Sequence, residues 1–273
     1  MFEEWSKAKT TGRHSYSVNE QTIAEYLSER AETVKPSTVA RAWRGIQHHL
    51  RIHRFGDVAD SEYVARVVRG IQRVHDSRTK KAPPLLKPEL HVLVDCCEHK
   101  RDEALLLVGW WAALRASELV ALRWADLEWT TQGVLASLRK RKTKQVGGEV
   151  VALPYLADVD YCPVVALVKW CRRLVPQPGE AVFPRLAGGE PIKRDCGISR
   201  RAVSYLIERL TSQAGLDQHY SSHSLRAGFA TWAARCGVDS LSIARQTGHQ
   251  KLETLAGYIR HGNAFVDHPA LRM

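Results

Sequence analysis

The run Arg78–Thr79–Lys80–Lys81–Ala82–Pro83–Pro84 constrains this chain more than any other stretch. Adjacent prolines are excluded from a helix interior, because they supply no amide donor and clash with the preceding turn. The charges beside them keep the run in solvent. The chain therefore reads as two pieces, residues 1–82 and 83–273. At 273 residues and 44% apolar content, there is material for a real core.

The first piece is read as a small all-helical module. Ser17-x-x-Glu20 has the form of a capping box, and Ile23, Tyr26 and Leu27 give the segment behind it an apolar face. Pro36–Ser37–Thr38 opens a clearer helix. Val39, Trp43, Ile46 and Leu50 fall on one side of it, and Arg41, Arg44, His48 and Arg51 on another. A third segment repeats the arrangement, with Val64, Val67, Val68 and Ile71 inward and Arg66, Arg69 and Arg73 outward. Basic stripes usually mean a solvated helix face. Two in succession with few acids favour contact with a phosphate backbone, which Arg forks bind well and with little regard for sequence. Lys80 and Lys81 in the linker would extend that contact.

The overall charge agrees. Forty Lys and Arg face 29 acids, a net charge of +11 with a pI of about 9.5, a balance that often marks a polyanion-binding protein. No apolar run approaches the roughly 20 residues of a membrane span. The N-terminal MFEEWSKAKTTGRH lacks an apolar signal core, so the expected location is cytoplasmic, on DNA. Six cysteines form no C-x-x-C pair and read as small apolar residues or idle thiols, with no metal and no cofactor expected.

The second piece mixes helices with a few strands. Helices are expected from Pro88 to about Glu98, from Asp102 to Leu114, from Pro163 to Leu174 and from Ile198 to Ala214. The run ALLLVGWWAAL (104–114) must be largely buried. Arg115 follows it in a turn where Ser117 is placed to cap a new helix, and Glu118 is a ready ion-pair partner. Val134–Arg139 and Glu149–Leu153 read as strands flanking KRKTKQVGG, with five basic residues between Arg139 and Lys144. Residues 176–197, rich in Pro and Gly, read as connecting loop.

The stretch His223–Arg260 gathers unusual chemistry: His223-x-x-Arg226, Gly248–His249 and Tyr258. Taken singly, each has a bland reading, as a helix-start histidine, a turn histidine and a packed helix tyrosine. In order, though, the chain contains ALRASEL, a lysine-rich turn, HSLR, TGH and a tyrosine nine residues after that histidine. That series resembles the tyrosine recombinases, or phage integrase family, over roughly residues 17–262.

The resemblance implies a mainly α fold with a small antiparallel sheet (an α+β catalytic domain), preceded by an all-α core-binding domain in a two-domain DNA clamp. Arg115 and Arg226 look like the two arginines that grip the scissile phosphate, His223 and His249 like the family's two histidine positions, and Tyr258 like the nucleophile. Glu118 matches the supporting acid. Lys142 best matches the turn lysine that protonates the leaving oxygen, with Lys144 the alternative; Arg139, Lys140 and Lys144 are also expected DNA contacts. The chemistry is consistent with physical need. Phosphoryl transfer calls for charge stabilisation, which bidentate arginines provide. A tyrosine with a reference pKa of about 10 needs cationic or basic help to attack at neutral pH.

The implied partners are double-stranded DNA carrying inverted repeats, further copies of the chain in a tetramer, and an accessory or directionality factor. Compared with the family pattern, the core-binding domain is expected to be shortened at its N-terminus, with Phe2–Glu3–Glu4–Trp5 resembling the end of an earlier helix; the stretch after Tyr258 is also short. Two other readings stand beside the recombinase: a type IB topoisomerase-like relaxase, and a DNA-binding accessory protein or remnant without recombination activity.

Overall fold

A computed structural model of the chain describes Phe2, Glu4, Trp5 and residues 19–74, 82–138 and 149–248. It forms two compact units, Met1–Lys80 and Lys81–Met273.

In the first unit, helix α1 (Glu20–Thr33) is followed by α2 (Pro36–Ile52), the short α3 (Gly56–Ala59) and α4 (Glu62–Val74). Asn19 caps α1, its side chain accepting from the Thr22 amide at 2.9 Å. Glu20 is therefore the first helical residue, not the third residue of a box begun by Ser17. Asn is as good a cap as Ser, and its position one residue before the acid decides the matter. Pro36 opens α2, where its missing amide donor costs nothing. Ile23, Leu27, Val39, Trp43, Leu50, Val64 and Val68 form the core, with Phe2 and Trp5 packed against it around Tyr26. Arg41, Arg44, His48, Arg51, Arg66, Arg69 and Arg73 are all exposed.

The second unit is built around α6 (Lys100–Trp111), which follows α5 (Lys87–Asp95). From Ala104 to Trp110 its residues are buried on every side, as the apolar run requires. α6 begins two residues earlier than expected, because Arg101, Asp102 and Glu103 are buried too. The burial is tolerated because Arg101 is bonded to Asp102 and donates to Pro184 O at 3.0 Å. Helix α7 (Ala116–Leu119) comes next, and a three-stranded antiparallel sheet follows: β1 (Leu127–Thr130), β2 (Gly133–Leu138) and β3 (Glu149–Pro154). Val134 pairs with Leu153 and Leu138 with Glu149. Residues 139–148, between these strands, lie outside the described residues.

Helix α8 (Pro163–Leu174) has the expected bounds. Residues 176–197 do not form a plain loop. They contain a hairpin of β4 (Pro184–Ala187) and β5 (Glu190–Gly197), turned at Gly188 and Gly189 with φ of 57° and 83°. Most of β5 is exposed, so the hairpin lacks the apolar alternation by which strands are recognised. Helices α9 (Arg200–Gln213), α10 (Ser222–Arg235) and α11 (Ser240–Thr247) complete the described fold. It is mostly helical with small antiparallel sheets. Among the described residues no helix is long and apolar enough to cross a membrane.

Candidate active site

The site begins where α6 stops. Ala113 takes a left-handed conformation, φ 50°, and the amides of Ala113 and Leu114 fold back onto Trp110 O and Gly109 O. This is the helix-ending geometry usually given to glycine. It turns the chain so that Arg115 becomes the N-cap of α7. Ser117, expected as that cap, is instead inside the helix. Glu118, third in the helix, reaches back to the cap: its carboxylate accepts from the Arg115 amide at 2.8 Å and pairs with the Arg115 guanidinium at 2.6 Å. The Arg115 side chain remains 48% exposed, and its Nη2 reaches Gly248 O at 3.5 Å.

Helix α10 carries the other two groups. Ser221 caps it, and Ser222 Oγ lies 3.0 Å from Ser204 Oγ on α9. Farther back, Leu85 N donates to Ser224 O at 3.0 Å, and Leu85 O accepts from Trp110 Nε1 at 2.8 Å. Gly228 lies directly over that carbonyl: a β-carbon there would be 1.7 Å from Leu85 O. The close approach presses α10 onto α6 and aims Arg226 inward. Arg226 is 4% exposed and donates from Nη1 to Ala113 O at 2.8 Å, so the left-handed turn and the buried arginine hold each other.

His223 stands in the first turn of α10, with its side chain open to solvent. Partial loss of hydration, then the charges of Arg226 and Arg115, lower its pKa from the ordinary histidine value. All three causes act in the same direction, against the protonated form. The consequence is a neutral imidazole beside two guanidinium groups, a combination able to accept a proton while the arginines hold an anion.

Helix α11 brings in the remaining edge. Asp239 caps it with bonds from Leu241 N and Ser242 N, and Gly248 ends it at φ 62°. Two of the residues found here had no signal in the sequence. Gln246 donates to Trp111 O and Ala152 O, and the Glu149 carboxylate packs against Gly248. Neither lies in a recognisable motif, and only the approach of α6, β3 and α11 makes them neighbours.

Of the residues singled out from sequence, the fold therefore groups Arg115, Glu118, His223 and Arg226, with Gly248 beside them. Lys142, His249 and Tyr258 lie outside the described residues, as do Lys80, Lys81, Arg139, Lys140 and Lys144. In the first unit Arg51 pairs with Asp60 at 2.5 Å and Arg69 with Glu62, whereas Arg41, Arg44, Arg66 and Arg73 have no carboxylate partner among the described residues. Among the described residues no group of three or more His, Cys, Asp or Glu side chains is arranged to hold a metal ion.

Residues 85–264 match the model of the phage integrase family. The chain belongs to that family. An integrase/recombinase XerD homolog of Selenomonas ruminantium is 33% identical over 263 residues, covering 93% of this chain and 76% of that protein. The tyrosine recombinase XerC of Xanthomonas campestris pv. campestris is 34% identical over 158 residues; that match covers 58% of this chain and 44% of that protein, less than half its length. The fold is shared with solved structures at low identity. A lambda integrase dimer bound to a core site matches with a TM-score of 0.65 at 17% identity, over 95% of this chain and 87% of that one. XerH bound to its difH substrate before cleavage matches at 0.62 and 18%, over 96% and 75%. This phage integrase family member thus stands among the tyrosine recombinases, enzymes that cleave and rejoin DNA. The recombinase reading is the one these relatives favour, above the relaxase and the accessory factor.

Proposed function

We propose that the chain is a site-specific recombinase that breaks a DNA strand through Tyr258. The Tyr258 oxygen attacks the scissile phosphorus. A bond forms between them as the bond from phosphorus to the 5′ oxygen breaks, leaving a 3′-phosphotyrosyl link and a free 5′-hydroxyl. The phenolic proton leaves toward a nearby base, for which neutral His223 is suited. The departing 5′ oxygen takes a proton from Lys142, or from Lys144 if the register of the turn requires it. Arg115 and Arg226 bind the non-bridging oxygens and stabilise the charge that builds on them, with His249 beside them. Glu118 keeps the Arg115 fork oriented. Rejoining runs the same steps backwards with a new 5′-hydroxyl, so the bond energy is conserved in the covalent link.

The observation that carries this reading is the convergence of Arg115 with His223 and Arg226, more than a hundred residues further along the sequence, around one turn. Residues 83–273 are assigned as the catalytic domain and 1–82 as the core-binding domain, whose exposed Arg41, Arg44, Arg66 and Arg73 grip the phosphate backbone, with a smaller part for Arg51 and Arg69, which are paired with Asp60 and Glu62. The division into two compact units supports that assignment. Double-stranded DNA with inverted repeats is the partner, bound by four copies in the cytoplasm, with an accessory factor setting direction.

The test is a covalent adduct. A duplex selected by the protein from a random-sequence pool, nicked beside the cleavage point, traps the cut strand on the protein. Wild-type protein is expected to give a denaturant-resistant adduct that disappears for Tyr258→Phe. An adduct that survives this substitution refutes the assignment of Tyr258. Relaxation of supercoiled DNA by the monomer, without a selected site, would favour the relaxase.

A further inference from the structure

Gln246 stands in α11 two residues before Gly248. Its side-chain amide donates both of its hydrogens to carbonyls of other elements: Trp111 O at 3.0 Å and Ala152 O at 3.1 Å. Trp111 is the last residue of α6, four before Arg115, and Ala152 lies in β3, three after Glu149. A primary amide presents its two N–H bonds in one plane at a fixed angle. Both bonds can form only if α6, β3 and α11 keep a set spacing.

The stretch these bonds support has little structure of its own. When α6 ends, the carbonyls of its last turn lose their helical partners and need donors from elsewhere. One of them, and a second carbonyl just past the helix end, find donors in groups far away in sequence. Trp111 O accepts from Gln246, and Ala113 O accepts from Arg226 at 2.8 Å. Across the same junction Arg115 Nη2 reaches Gly248 O at 3.5 Å. The Glu149 carboxylate closes the remaining side, since a β-carbon on Gly248 would be 2.2 Å from its Oε1.

We propose that Gln246 is a positioning residue: it sets where Arg115 stands relative to Arg226 and to the Gly248 turn, and so determines how well the two arginines grip one phosphate. The proposal rests on the strand-cleavage reading above. The side chain touches no reacting atom. Its effect runs through the Trp111–Arg115 segment, and a shift of about 1 Å in a catalytic group costs on the order of 100-fold in rate.

The experiment compares wild-type protein with Gln246→Met, which keeps the length and volume of the side chain and removes both donors. Single-turnover adduct formation is followed at saturating protein on the nicked duplex, with either a normal phosphate or a neutral methylphosphonate at the cleavage point. The arginines act on the negative charge of the non-bridging oxygens, and the methylphosphonate lacks that charge. The expected result is a rate roughly 10- to 100-fold lower on phosphate, DNA affinity within about two-fold of wild type, and a clearly smaller loss on methylphosphonate. A packing role would lower both rates together. If the methionine variant melts below the assay temperature, Gln246→Leu, which is likewise uncharged and lacks the amide donors, is read in the same way. A wild-type rate, or equal losses on the two linkages, overturns the proposal while leaving the recombinase reading intact. Failure of the wild-type protein to form any adduct overturns both.

Discussion

Replacing Gly228 by alanine separates tertiary packing from helix propensity. Gly228 is interior to α10, where alanine is favoured over glycine by about 1 kcal/mol in isolation. The packing predicts the opposite sign. The new β-carbon would sit 1.7 Å from Leu85 O, 2.6 Å from Leu85 C and 2.9 Å from Trp110 Nε1. Carbon contacts settle near 3.5 Å, so α10 and the segment at Leu85 must part by roughly 1 Å or more. Leu85 cannot yield cheaply, because it is fully buried and tied at both its amide and its carbonyl. Overpacking of this kind costs about 1–3 kcal/mol. The Trp110 indole, buried and deprived of its acceptor, adds about 1–3 kcal/mol, and the Leu85–Ser224 bond about 1 kcal/mol. After the propensity gain the net loss is about 4 kcal/mol. For a unit of this size it corresponds to a fall in Tm of roughly 8–16 °C. Thermal unfolding followed by circular dichroism and tryptophan fluorescence measures it. A Tm equal to or above that of wild type would refute the close-packing argument.

Three further outcomes follow from other parts of the molecule. If the first unit binds DNA through its arginine stripes, Arg44→Ala and Arg66→Ala each reduce the slope of log K against log salt by about 1. Arg51→Ala and Arg69→Ala change it less, since Asp60 and Glu62 already hold those side chains; binding titrations at several salt concentrations compare the four, and equal slopes would contradict the pairing. Gly248→Ala meets both the left-handed φ of 62° and the Glu149 carboxylate. Adding Glu149→Ala should restore the steric part of the stability loss in urea melts and leave about 1–2 kcal/mol for the backbone conformation. The folded pKa of His223 lies below its unfolded value, so the unfolded chain binds the extra proton first. The stability this gives is complete above the unfolded pKa of about 6.5 and is lost as pH falls through the folded pKa. His223→Gln should flatten that acid-side loss in denaturation curves taken between pH 7.5 and 5, and an unchanged slope would exclude the histidine as its source.

Much of the helical framework could be read from residue spacing. The apolar run at 104–114 had to be buried and largely helical, although the helix stops at Trp111, three residues short of the expected end; Pro163–Leu174 and the arginine-striped helices of the first unit were plain, because amphipathic spacing is a local signal. The hairpin at 184–197 was not readable. Its strands are mostly exposed and carry prolines, so they lack a plain apolar alternation. Helix caps were misplaced at Ser17 and Ser117 for a related reason: several residues nearby could cap, and the packing of the following helix chooses among them. Arg115, Glu118, His223 and Arg226 could be named from the order of short motifs, although no motif says what surrounds them.

The sequence by itself determined the family, through the order of ALRASEL, HSLR, TGH and Tyr258. It also carried the basic charge. The tertiary structure decided how the described groups are held. Arg226 is buried against Ala113 O while Arg115 stays half open beside Glu118, and Gln246 joins α6 to β3 across 135 and 94 residues of sequence. Those bonds end on backbone carbonyls, which every residue carries. A sequence can show that a donor is present, but only the folded chain selects the carbonyl that accepts from it.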